Sequence, residues 1–183
     1  MADGLYYVDL REPHNITDGS SITLAATMKA LYTVALFPVL GTNYFSRPGK
    51  KLRIRAFGRM TTGITPGNFS WSLFWGSTIA DATGTLLGTS SAQALTASKT
   101  NLTWEIDCRI VSRVQGASGS LLATGKAILN GGLMTSACLL PDSAPAVVTS
   151  DLTIAGVLSI QAARSGSTAE TMQVHELEVE AMN

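Results

Sequence analysis

Residues able to do chemistry are few in this chain and widely spaced. His14 and His175 stand near opposite ends, and Cys108 and Cys138 are the only thiols. A self-contained zinc centre needs paired ligands at short intervals, and neither type supplies them. No Gly-x-Ser-x-Gly elbow, Gly-Lys-Ser/Thr phosphate loop or paired-glycine dinucleotide fingerprint occurs. Asp81, Asp142 and Asp151 fall in turn-rich stretches without the dense oxygen spacing of a calcium loop. Glu105 and Asp107 share one side of an alternating segment, where carboxylates serve solubility more often than acid–base work. The sequence therefore calls for no enzyme, metal or cofactor.

Recognition chemistry is better organised. Lys51, Arg53, Arg55 and Arg59 form a basic row on odd positions, and Glu176, Glu178 and Glu180 form an acidic row of the same period. Two such rows can neutralise each other across neighbouring strands, at roughly 0.2–1 kcal/mol per facing pair. The expectation is that both strands share one sheet, with both rows on one face. The alternative is that Arg53 and Arg55 meet an acidic partner. Phe69, Trp71 and Trp75 form an aromatic row expected in the core, with a sugar-stacking platform as the alternative. Phe74 falls on the polar side of that row, so it is expected to be exposed and to touch another subunit. Leu5, Tyr6 and Tyr7, in the N-terminal segment, are further candidate partner contacts.

Period-two alternation identifies the elements that carry these rows. Leu52, Ile54 and Ala56 alternate with the basic row, and Trp104, Ile106, Cys108 and Ile110 alternate with Glu105, Asp107 and Arg109. Leu177, Val179 and Ala181 alternate with the glutamates. The phase slips at Val111, which predicts a bulge or bend before Val114. Weaker strands are predicted at residues 5–10, 22–27, 33–39, 121–129, 134–140 and 152–162. Residues 25–36 contain helix formers, but Thr27, Tyr32, Thr33 and Val34 favour extended backbone. Gly-rich turns separate the segments, and no internal repeat appears. This pattern predicts an all-β antiparallel sandwich or barrel. Residues 1–20 read as an N-terminal arm or edge strand, and residues 21–183 as one β-sandwich domain.

Composition narrows the class. The 183 residues carry no net charge, and only 14% are Asp, Glu, Lys or Arg. Nucleic-acid binding requires a basic surplus to displace counterions, so no nucleic-acid partner is expected. No apolar run is long enough for a helical membrane span, and the first residues lack a secretory leader pattern. Synthesis in a reducing cytoplasm is expected, with the two cysteines unpaired. The Asn-x-Ser/Thr sequons at Asn15, Asn68 and Asn101 carry no weight without a secretory route.

Three stretches together resemble a family, the small jelly-roll decoration or cement proteins of tailed-bacteriophage capsids. They are the turn and basic strand at residues 48–58, the aromatic segment at 68–76, and the segment at 102–110 with the Gly-rich turn and strand that follow. Related modules occur in phage tail fibres and baseplates. The resemblance implies a jelly-roll β-sandwich, a homotrimer, the major capsid protein as partner, and a position on the outer surface of the virion shell. An alternative from that wider group is a tail-associated module that binds host carbohydrate.

Overall fold

The computed structural model describes residues 18–33, 37, 39–134 and 136–182. The strand expected at residues 5–10, the contacts expected of Leu5, Tyr6 and Tyr7, and His14 lie outside the described residues. So does the N-terminal arm, apart from residues 18–20.

Twelve strands occur among the described residues: β1 (Ile22–Thr23), β2 (Lys29–Ala30), β3 (Lys51–Thr61), β4 (Asn68–Gly76), β5 (Thr85–Thr89) and β6 (Gln93–Ala94) come first. They are followed by β7 (Leu102–Val114), β8 (Gly119–Leu129), β9 (Cys138–Leu140), β10 (Val148–Ser150), β11 (Val157–Arg164) and β12 (Thr171–Met182). Every pairing is antiparallel, and the chain is a jelly-roll β-sandwich. The larger sheet runs β1-β12-β3-β7-β8-β10, with β9 also beside β8. The smaller runs β2-β11-β4-β5, with β6 also beside β4. The roll shows in its nested pairs: β3 joins β12 in one sheet while their chain neighbours β4 and β11 join in the other.

Alternation fills the space between the sheets. Leu52, Ile54, Ala56, Ile106, Cys108 and Ile110 from the larger sheet are fully buried, as are Phe69, Trp71 and Leu73 from the smaller. Burying such rows supplies the main favourable free energy of folding, at about 25 cal/mol per Å² of apolar area. Glycine is required where backbones or rings close in. A Cβ on Gly156 would strike the indole of Trp75, and one on Gly58 would strike the Gln173 carbonyl. Gly58 lies opposite Val174, where β12 bulges against β3.

The long rows stand where the alternation puts them, and the predicted irregularity before Val114 is a register shift between Ser112 and Val114. Several weaker segments need correction. Of residues 22–27 only Ile22–Thr23 is strand, and of 134–140 only Cys138–Leu140. No strand occupies the described part of 33–39; Leu40 makes a single bridge to Gly156. The strand expected at 152–162 starts at Val157, because residues 151–156 form a loop stitched to Gly116 and Leu40. β5, β6 and β10 had no sequence signal of their own.

Candidate functional site

The outer face of the larger sheet gathers most of the organised charge. Its register sets Glu178 opposite Arg55 and Glu180 opposite Arg53 on one side of β3. On the other side Arg55 faces Asp107 and Phe57 faces Glu105. The two rows therefore share a sheet and a face. Arg53 donates a two-pronged pair to Asp107, Nε to Oδ1 at 2.9 Å and Nη2 to Oδ2 at 2.7 Å. Arg55 bridges two strands, reaching Glu178 at 3.2 Å and Glu105 at 3.3 Å, and its guanidinium lies 4.9 Å from the Phe57 ring centroid. Both arginines are thus engaged inside the chain. Arg59 donates from Nε to Gln173 Oε1 at 2.9 Å.

The hydrogen bonds from Arg53 outweigh partial burial and hold the Asp107 carboxyl below its ordinary value. A carboxyl depressed in the folded state stabilises above its unfolded pKa, and that stability is lost as pH falls through the folded value. Acidification below about pH 4 should therefore lower the thermal midpoint more in the parent protein than in Asp107→Asn, which has no such proton to gain. Parallel midpoint-versus-pH curves for the two would disprove the assignment.

The aromatic row is core. Trp71 is fully buried and Trp75 nearly so, and their indole N–H groups donate to Cys138 O at 3.4 Å and Asp151 O at 3.3 Å. Neither offers a sugar a stacking surface. The expectation for Phe74 is corrected: it is buried at 8% exposure, on the outer side of the smaller sheet. The 79–84 turn folds over that side and is held there by Gln161, whose Nε2 donates to Ala80 O at 2.9 Å and whose Oε1 accepts from Ala82 N at 2.7 Å. Phe74 is therefore no docking residue.

Both cysteines are free and buried. Burial pushes the Cys138 thiol up to about 11 and Cys108 higher still, which keeps both from acting as nucleophiles. His175 sits at the β12 bulge, with Nδ1 2.6 Å from Asp18 Oδ1. Among the described residues no group of three His, Cys, Asp or Glu could hold a metal ion, and no helix is long and apolar enough to cross a membrane.

Sequence reasoning missed two further features. Val39, Val114 and Ile154 are exposed large apolar side chains on segments that meet at one end of the sandwich. Leu40 and Gly156 exchange backbone hydrogen bonds there, and Leu152 N donates to Gly116 O. Each is isolated in the sequence, so no pattern marks them. The second feature is a groove of about 770 Å³ on one open side of the sandwich, between β1, β2 and residues 79–81. Ile22, Leu31, Tyr32 and Ile79 supply its apolar lining, and the Lys29–Asp81 ion pair at 2.7 Å closes one wall.

No protein-family model matches the chain, and no curated protein matches it significantly. Among solved structures it is similar to a legume lectin-like domain from Entamoeba histolytica. The two share 11% identity at a TM-score of 0.33, with 100% of each chain covered.

Proposed function

We propose that this chain is a non-enzymatic virion structural protein, a decoration or cement protein. In this reading it is made in the host cytoplasm and binds the major capsid protein on the outer surface of a tailed-phage shell. It binds as a homotrimer and needs neither cofactor nor nucleic acid. The observation that carries the reading is the character of the surface. The central arginines are neutralised within their own sheet, while Val39, Ile64, Val114, Leu139, Val147 and Ile154 stand exposed. Covering such a surface with other subunits buries apolar area and strands few charges, whereas burying unpaired Lys or Glu is costly. Three linked copies engage three sites at once, so modest contacts per copy suffice for firm attachment.

The test is where the chain sits in purified particles. Mass spectrometry of separated tail-less shells and free tails should find it on the shells, at a copy number in proportion to capsomers. Native mass measurement of the purified protein should give a trimer. Presence on tails alone, or absence from particles, would overturn the reading.

A further inference from the structure

β12 is the outermost long strand of the larger sheet, and β1 covers only Thr171 and Met172 on its outer side. Gly19 adds one backbone contact, its N–H donating to Val174 O at 2.8 Å. Among the described residues nothing pairs with that edge from Glu176 to Met182. Buried backbone groups need partners, and an unpaired strand edge is a template for another strand. The edge also runs into the open-sided groove. Asp18, which lines the groove, touches His175 at the start of the unpaired stretch.

Side chains along the edge say what kind of strand fits. Leu177 and Val179 point inward and are buried at 1% exposure, while Glu176 and Glu178 are exposed and Glu180 is half-buried on the outer face. A second copy pairing through the same edge would set glutamates beside glutamates, and like charges facing across a ladder are destabilising. A strand with basic residues at alternate positions would set cations beside them. Its intervening apolar residues would extend the row of Leu177 and Val179 and meet the apolar lining of the groove.

We infer that the outer edge of β12, with the adjoining groove, docks an extended segment of a partner polypeptide in which basic and apolar residues alternate. Main-chain hydrogen bonds would supply affinity and the alternating side chains specificity. This site goes beyond the virion reading and stands or falls separately from it, since it asks only for an extended partner segment.

The probe is a synthetic peptide of about ten residues alternating lysine and valine, a typical strand length or a little more. Its control has the same composition with the lysines grouped at one end. Both are titrated against the full chain by fluorescence anisotropy, and amide hydrogen exchange is followed at Glu176–Met182. The alternating peptide should bind saturably, slow exchange along that stretch, and bind about tenfold more weakly to a Glu176→Lys/Glu180→Lys variant of unchanged thermal midpoint. Three results would overturn the site: no binding, equal binding of both peptides, or no response to the double variant. Amides already protected without peptide would assign the edge to another part of this chain. Concentration-dependent protection would assign it to a second copy, and either outcome rejects the proposal.

Discussion

Replacing Trp104 with alanine should cost about 3–5 kcal/mol of folding free energy, the range for emptying a large buried aromatic site. Trp104 begins the inner row of β7, is 3% exposed, and lies directly across from Gly58 of β3. The missing Cβ of Gly58 leaves room that the indole fills, since a Cβ there would come within 2.7 Å of the ring. Because Gly58 has no side chain to swing inward, the cavity left by truncation cannot collapse cheaply. One opposing effect is present: Trp104 Nε1 is buried without an acceptor, and its removal relieves that cost. Trp104→Phe separates the two effects. It keeps most of the volume and discards the orphan N–H, so it should cost less than about 1.5 kcal/mol. Denaturant midpoints at unchanged slope measure both. A loss below about 1 kcal/mol for the alanine variant would mean that the pocket refills by collapse.

That prediction could be framed from sequence, because a long half-buried strand has a two-residue period and its outward polar positions expose the phase. The rows of β3, β7 and β12 were legible for this reason, and so was the face-to-face pairing of arginine with glutamate. Phe74 was misread because the smaller sheet has two covered faces. In β11 the run from Val157 to Ala163 is buried throughout, so alternation vanishes and a period-two reading loses its footing. What covers the second face is a turn pinned by one buried glutamine, and no local pattern announces that Gln161 will reach the 79–84 segment. Strands of two or three residues, such as β1, β2 and β10, are too short for any period to register. Their pairing is decided by the long strands beside them. The groove and the apolar end arise from segments far apart in sequence, which meet only once the roll has closed.

Removing the carboxylate of Glu170 should be the most costly change outside the aromatic core, at about 3–5 kcal/mol for breaking a buried ion pair from one side. Glu170 is fully buried just before β12, and Arg164 at the end of β11 is 15% exposed, with Nε 2.8 Å from Glu170 Oε2. Arg164 Nε directs its hydrogen toward Leu24 O at 3.3 Å, so the contact with Glu170 is one of charge more than of aligned hydrogen bonding. Thr168 Oγ1 donates to the other carboxylate oxygen at 2.5 Å. The backbone repeats the connection, with Leu24 N donating to Glu170 O and Arg164 N to Ala25 O. The pair therefore ties the turn between the last two strands to the segment entering the fold. Glu170→Ala would strand a mostly buried guanidinium without a counter-charge. Glu170→Leu combined with Arg164→Met removes both charges at similar volume, and should recover most of the loss, because an apolar pair has no desolvation to repay. Equal destabilisation by the single and double variants would show that the cost lies in packing rather than in an uncompensated charge.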